Sequence, residues 1–376
     1  MSWAIWITGR PGSGKSVLAR AAAAKLEALG EPVRVLELDE VRKTLTPSPT
    51  YTDAERDVVY RALGFMAALL SEAGVPVIID ATAHRRIWRD LARAAIPRFA
   101  EVQLVCPPEV CRERERTRPQ GHAPRGIYAR AGRPGATVPG VDVPYEPALA
   151  PELVIDTARE GVTQAARRVV AVARALAPAR LAQTAQASTG WAIWITGRPG
   201  SGKTTLAERV ALALTARGVR VKVLDLATVH RFLLPEGPAS ESQQEIAHRA
   251  LAYAAKLLTE AGVAVILDAT APRRAWREAA RELIPCFAEI QLVCPTDICV
   301  ERERVSRWRL GAEQRERAAA SDLAAPPDIA VDYEESLRPE LVLHTHMHDL
   351  WSTVEQILFL IHGLRPMAVG RLEQPQ

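Results

Sequence analysis

The chain reads as an α/β protein made of two tandem P-loop NTPase domains, each a parallel sheet flanked by helices in three layers. Three observations predict this. A glycine-rich loop closing on a lysine stands between a β-like run and an alanine-rich helix; the whole arrangement returns later in the chain; and short apolar runs alternate with longer helical segments throughout.

The loop is Gly9-Arg-Pro-Gly12-Ser13-Gly14-Lys15-Ser16, which fits G-x-x-x-x-G-K-[ST]. It follows the apolar run Trp3 to Thr8 and precedes a helix expected over Val17 to Leu29. In that setting the glycines let backbone N–H groups turn inward around a β-phosphate, and the helix N-terminus favours the anion. Lys15 is expected to bridge β- and γ-oxygens of ATP, and Ser16 to hold Mg²⁺.

The repeat is nearly exact at the loop. Trp3 to Ser16 returns as Trp191 to Thr204 with only the last residue changed, an offset of 203 − 15 = 188. The same offset pairs Asp80-Ala-Thr82 with Asp268 to Thr270, and Ile96 to Pro107 with Ile284 to Pro295. A period this long means duplicated domains and not a solenoid, whose units run to roughly 20 to 50 residues. The expected division is 1–176, a linker at 177–189 and 190–376. The second loop, with Gly197, Gly200, Ser201, Gly202, Lys203 and Thr204, is complete, so nucleotide binding is expected there too, with Thr204 on the metal.

In the first copy strands are expected near Trp3 to Thr8, Val33 to Leu38, Val75 to Asp80, Glu101 to Val105 and Leu153 to Ile155, with helices between. Their near-continuous Val, Ile and Leu content suits a sheet covered on both faces.

Composition excludes several classes. Of 376 residues, 48% are apolar and 24% charged, the balance of an ordinary globular protein and not of a disordered chain or membrane bundle. The first apolar run is too short for a signal sequence or a membrane span, and a cytoplasmic protein is expected. A net charge of +4 with arginines scattered along the chain gives nucleic-acid binding little support, and an oligomer is compatible with the sequence. Five cysteines argue against a disulfide framework and for buried packing. Only six lysines stand among 48 basic residues, and two of them are Lys15 and Lys203.

A P-loop alone does not separate a kinase from other nucleotide-binding proteins. Neither copy carries a guanine-type Asn-Lys-x-Asp motif. The end of the second strand places Asp39 and Arg42 beside the P-loop, because ligands bind at strand C-termini in such sheets. Asp39 is the candidate catalytic base or acceptor positioner, or a helix N-cap, and Arg42 suits an anionic acceptor. Asp80, at the tip of the third strand, is a candidate for ordering Mg²⁺ through water or for capping the next helix. The Arg/Glu run from Arg112 to Arg118 is a candidate phosphate-binding helix face, but reads rather as a helix laced with ion pairs except near Arg118, where the lid begins. His344, His346 and His348 read as a solvent-facing polar row on a last strand.

Beyond the P-loop, Leu38-Asp39-Glu-Val-Arg42 is similar to D-G-D-N-V-R, and Glu55-Arg56 with Arg61 to D-R-x-x-N-I-R. Arg125-Gly126-Ile-Tyr128-Ala-Arg130-Ala131 is similar to K-G-L-Y-x-x-A, and Val141-Asp142-Val-Pro144-Tyr145-Glu146-Pro147 to I-D-D-P-Y-E-P. In these segments the first copy resembles the adenylylsulfate kinases, which phosphorylate the 3′-hydroxyl of adenosine 5′-phosphosulfate. The resemblance implies ATP and Mg²⁺, this small-molecule acceptor, acceptor contacts from Arg42 and Arg56, and a lid containing Arg125, Tyr128 and Arg130. The sequence departs from the family at Glu37, Glu40, Val59, Ser48 to Thr52 and Asp80 to Ala83. A kinase of another hydroxyl, and a tandem nucleotide-responsive module without transfer, are the alternatives.

The second copy has lost the acceptor residues. At the offset Asp39 becomes Ala227, Arg42 His230, Arg56 Gln244, and Gly126 to Tyr128 become Gln314 to Glu316. It is expected to hold Mg-nucleotide without positioning an acceptor.

Overall fold

The computed structural model describes residues 1–117, 126–177, 190–234, 240–309 and 332–364. It divides into two compact units, 1–183 and 184–376. The expected linker lies, apart from Ala177, outside the described residues.

In unit 1 the elements run β1 (Ala4–Thr8), α1 (Lys15–Ala28), β2 (Arg34–Glu37), α2 (Leu38–Leu45), α3 (Asp53–Glu72), β3 (Val77–Asp80), α4 (Arg86–Ala95), β4 (Phe99–Val105), α5 (Pro108–Thr117), β5 (Leu153–Asp156) and α6 (Val162–Leu176). The five strands form one parallel sheet in the order β2-β3-β1-β4-β5. Every residue of β1 is buried, which is why its apolar run shows no alternation. Side chains Trp3, Ile5 and Ile7 pack with Leu18, Ala22 and Leu26 of α1 and with Ala166, Val169 and Ala173 of α6. Helices α3 and α4 pack against each other, Gly64 of α3 close to Ala92 of α4. The core Trp6 donates its indole N–H to the Ala81 carbonyl at 3.0 Å, so the ring is buried with its polar atom satisfied.

Unit 2 repeats this plan: β6 (Ala192–Gly197), α7 (Lys203–Ala216), β7 (Val221–Asp225), α8 (Leu226–Leu233), α9 (Glu241–Glu260), β8 (Ala264–Asp268), α10 (Arg274–Leu283), β9 (Phe287–Val293), α11 (Thr296–Arg309), β10 (Leu341–His344) and a last helix, Leu350–Leu364. Its sheet order, β10-β9-β6-β8-β7, is the same sequence of strands read from the other edge. The three-layer α/β architecture in tandem is thus as the sequence predicts.

Boundaries differ where the first turn of a helix competes with a strand. Leu38 opens α2 instead of ending β2, with Glu37 extended at the cap position and Asp39 and Glu40 in the first turn, where negative charge suits the helix dipole. Asp39 therefore sits inside α2 and is not its N-cap. The first P-loop helix starts at Lys15 itself, after Gly14 in left-handed conformation. The four-residue β10 ends at His344, so His346 and His348 lie beyond the strand, and all three rings are exposed. Among the described residues no cluster of three His, Cys, Asp or Glu side chains is arranged to hold a metal, and no helix is long and apolar enough to cross a membrane. The cysteines are free; Cys106 and Cys111 are buried, Cys111 Sγ lying 3.8 Å from the Cys106 carbonyl oxygen.

Candidate active site

Strand order reverses around β1, between β3 and β4, and the crevice outside the carboxyl ends of these strands is where such sheets bind ligands. There Thr8, Glu37 and Asp80 end β1, β2 and β3, with Glu37 and Asp80 in register. The P-loop leaves β1 at Gly9. Lys15 Nζ donates to the carbonyls of Gly9 and Arg10, both at 3.1 Å, which folds the ammonium back over the loop. Ser13 is buried, and its N–H donates to the Arg10 carbonyl. The need for glycine is sharpest at Gly12: φ is +77°, and a Cβ there would stand 2.2 Å from the Cys111 carbonyl oxygen of α5.

Asp80 is 4% exposed. Burial pushes its carboxyl above the usual range, opposed by Lys15 and by a hydrogen bond from Ser16. A buried carboxylate, a serine hydroxyl and an ammonium thus meet at the mouth of the cradle. Oxygen donors of this kind fit a hard divalent cation.

These groups open into a cavity of about 970 Å³ whose walls include Lys15, Ser16, Asp39, Arg42, Tyr51, Arg56, Asp80, His84, Arg114 and Arg130. Arg42 is buried and paired with Glu55 at 3.0 Å, and its guanidinium lies over the Tyr51 ring at 5.2 Å. Glu55 also accepts from the Thr50 hydroxyl and N–H, both at 2.7 Å; these bonds and Arg42 hold its carboxyl below the usual range despite burial. The pair fixes the loop before α3, where Tyr51 adopts φ +56°. Arg56, also buried, donates Nη2 to the Thr137 hydroxyl and carbonyl at 2.6 and 2.9 Å, while its Nη1 is buried with no hydrogen-bond partner.

Of the expected lid residues, Arg130 lines the cavity, whereas Tyr128 packs outside it, its hydroxyl donating to the Pro11 carbonyl at 2.8 Å. Arg125 lies outside the described residues. The segment is anchored to α5 by Glu115, which accepts from the N–H groups of Gly126 and Ile127.

Two further residues line the cavity beyond the expected site. Arg114 falls in the run expected to be laced with ion pairs; instead it donates to the Thr157 carbonyl at 2.7 Å, and Thr157 donates its hydroxyl to the Ser13 carbonyl at 2.9 Å. The expected lacing holds nearby, at Glu113–Arg116. The signal was in the repeat, since Arg302, Thr345 and Ser201 make the same chain of bonds in unit 2. His84 is the other; nothing in its local sequence marks it.

In unit 2 the cradle is reproduced. Lys203 Nζ donates to the Gly197 and Arg198 carbonyls at 3.1 Å, Gly200 has φ +78°, and Thr204 hydrogen-bonds Asp268, whose carboxyl burial pushes up. The acceptor side differs: Ala227 is exposed, and His248 stacks on Trp276 at 4.0 Å where Tyr60 stacks on Trp88 at 4.2 Å in unit 1.

The adenylylsulphate kinase family model matches residues 1–156 and again 189–344. A probable adenylyl-sulfate kinase of Archaeoglobus fulgidus is 39% identical over 160 residues, spanning 42% of this chain and 97% of the relative. An adenylyl-sulfate kinase of a Synechococcus strain is 37% identical over 162 residues, spanning 43% of this chain and 87% of the relative. Among solved structures, the Mycobacterium tuberculosis APS kinase CysC in complex with AMPPNP and APS is similar at 24% identity and a TM-score of 0.39, covering 46% of this chain and 99% of that one. With both halves matched by the family model, the protein belongs to the adenylylsulphate kinase family and is a phosphotransferase.

Proposed function

We propose that unit 1 transfers the γ-phosphoryl group of ATP to the 3′-hydroxyl of adenosine 5′-phosphosulfate, and that unit 2 binds Mg-nucleotide without transfer. The observation that carries it is a cavity of unit 1 whose lining joins the phosphate cradle to Asp39, Asp80, Arg42, Arg56 and Arg130. Lys15 and the loop N–H groups hold the triphosphate. Arg42, Arg56 and Arg130 give the opposite wall the positive charge an anionic acceptor needs, and the unsatisfied Nη1 of Arg56 supports a ligand there.

In the transfer the acceptor oxygen bonds to the γ-phosphorus, the bond from that phosphorus to the β–γ bridging oxygen breaks, and ADP leaves. The acceptor's proton passes to the Asp39 carboxylate. Positioning and charge neutralisation are the main tasks of the protein in such a step. Ser16 and Asp80 are the residues that would hold Mg²⁺, which neutralises β- and γ-oxygen charge when bound.

The test is incubation of the full chain with ATP, Mg²⁺ and adenosine 5′-phosphosulfate, with the products identified by mass. The expected result is an acceptor heavier by one phosphoryl group, formed by the wild type and lost in Lys15→Ala. Tight ATP binding without phosphorylated acceptor refutes the assignment of substrate. Equal loss in Lys15→Ala and Lys203→Ala refutes the assignment to unit 1.

A further inference from the structure

The cavity of unit 1 contains an imidazole that the transfer itself does not use. His84 is 3% exposed and lines the cavity, and its Nδ1 is buried with no hydrogen-bond partner. The ring is held by packing, edge-on to Trp88 at 5.1 Å, so its hydrogen-bonding capacity is unspent. An unpaired buried nitrogen lowers stability unless something satisfies it.

The fold does not require this ring. His84 follows Ala83, a non-glycine residue at φ +40°, and the His84 carbonyl accepts from the Glu146 N–H at 2.8 Å. Buried Arg89 ties the turn by donating to the Ala83 carbonyl and, at 2.6 Å, to that of Glu146. Unit 2 builds the same turn with Ala271 at φ +41°, Arg277 on the Ala271 carbonyl, and the carbonyl of Pro272 accepting from Glu334 at 2.9 Å. Pro272 occupies the place of His84 and has no side-chain donor or acceptor. The imidazole is thus found in the unit that keeps Arg56 and is missing from the unit in which Gln244 replaces it. Burial, with Arg56 beside it, pushes the imidazole down to about 4, so near neutrality the ring is uncharged and offers one donor and one acceptor nitrogen.

We propose that His84 is an acceptor-binding residue, hydrogen-bonding a polar edge of the acceptor's ring system while Arg56 holds its anionic group. This inference rests on the reading of unit 1 as the acceptor-binding unit. It makes the site selective for acceptors that carry both an anion and a hydrogen-bonding ring or sugar edge, since an acceptor lacking the edge leaves the imidazole unpaired.

Steady-state kinetics of the full chain test it, with adenosine 5′-phosphosulfate and ATP varied separately for the wild type, His84→Phe and His84→Gln, each also followed through thermal unfolding. His84→Phe is expected to raise KM for the acceptor about tenfold, the worth of one hydrogen bond of roughly 1.4 kcal/mol, with KM for ATP within about twofold. His84→Gln, which keeps a donor and an acceptor, is expected to recover most of the loss. An unchanged acceptor KM in His84→Phe overturns the inference. So do parallel shifts of both KM values and of the melting temperature in both variants, which mark a packing role. Should the wild type leave this acceptor unphosphorylated, the underlying reading has failed, and calorimetric titration with the same compound decides the inference separately: equal affinity for wild type and His84→Phe, or no binding to either, overturns it.

Discussion

Gly12→Ala and Gly200→Ala place the same methyl group in two copies of one loop, and their contrast reports which copy turns over. At Gly12 the new Cβ meets the Cys111 carbonyl oxygen at 2.2 Å and the carbonyl carbon at 2.9 Å; at Gly200 it meets the Cys299 oxygen at 2.2 Å and carbon at 2.8 Å. The obstacle is backbone in both cases, so no rotamer change relieves it. Restoring an ordinary contact requires the loop to move about 1 Å from α5 or α11, at an overpacking cost of roughly 1–3 kcal/mol. The φ values of +77° and +78° add a further 1–2 kcal/mol or so for a residue with a Cβ. Each variant is expected to destabilise its own unit by about 2–5 kcal/mol, read by urea unfolding. Turnover separates them. A displacement of about 1 Å in a phosphate cradle lowers a positioned transfer roughly 100-fold, so Gly12→Ala loses that factor in acceptor phosphorylation. Gly200→Ala loses far less. Equal losses of turnover refute the assignment of catalysis to unit 1, and wild-type unfolding of both variants refutes the steric reasoning itself.

Three further outcomes are expected. Because burial raises the Asp80 carboxyl in the fold, its contribution favours folding at low pH and is lost as pH rises through the folded value. Asp80→Asn should therefore stabilise the ligand-free protein at neutral pH while abolishing turnover; a lower melting temperature contradicts this. His84 has the opposite sign: its stability contribution is complete above about 6.5 and is lost as pH falls toward 4, Arg56 and Arg85 pressing the value down and Asp53 and Glu146 resisting. The loss amounts to about 3 kcal/mol, so His84→Gln should flatten the pH–stability curve of unit 1 between those values, and an unchanged slope contradicts it. Arg89→Met should destabilise unit 1 by roughly 3–5 kcal/mol, because Glu101, 2.6 Å from Arg89 and already pushed up by burial, is left with only the half-exposed Arg93 at 3.8 Å. Adding Glu101→Leu should recover part of that loss in the same unfolding experiment, and no recovery would point to the Ala83 and Glu146 contacts of Arg89 instead.

How much was legible in the sequence depended on whether a feature was local. The cradle from Gly9 to Ser16 could be read because strand, loop and helix follow one another within a few residues, and because its copy stands 188 residues on. Strand cores could be read because β1 and β3 are buried throughout. The switch from β2 to α2 at Leu38 was missed because an apolar residue suits either element and the acidic first turn decides. The partner of Arg114 was hidden for a related reason: its helix carries five other glutamates and arginines that can pair locally, yet Thr157, distant in sequence, takes its guanidinium. His84 was invisible, since only the folded turn at Ala83 carries it into the cavity beside Arg56.

The two units differ most where charge is buried. Unit 1 buries Arg42, Glu55 and Arg56, and one nitrogen of Arg56 has no partner. At the same offsets unit 2 carries His230, Gln243 and Gln244, with no guanidinium or carboxylate among them. Buried ion pairs are seldom needed for stability, and an unsatisfied guanidinium nitrogen opposes it, so replacements without the ion pair and the guanidinium are what packing alone favours. The cradle answers to different constraints. Lys203 on two carbonyls, Thr345 on Ser201 and Arg302 on Thr345 bind the loop to its own unit without any ligand. Its geometry is part of how the domain folds, and it survives where the acceptor side does not. Charge kept at Arg42 and Arg56 against that energetic preference is therefore the feature of unit 1 that most needs a ligand to explain it, whereas the bonds within unit 2 account for its intact loop without one.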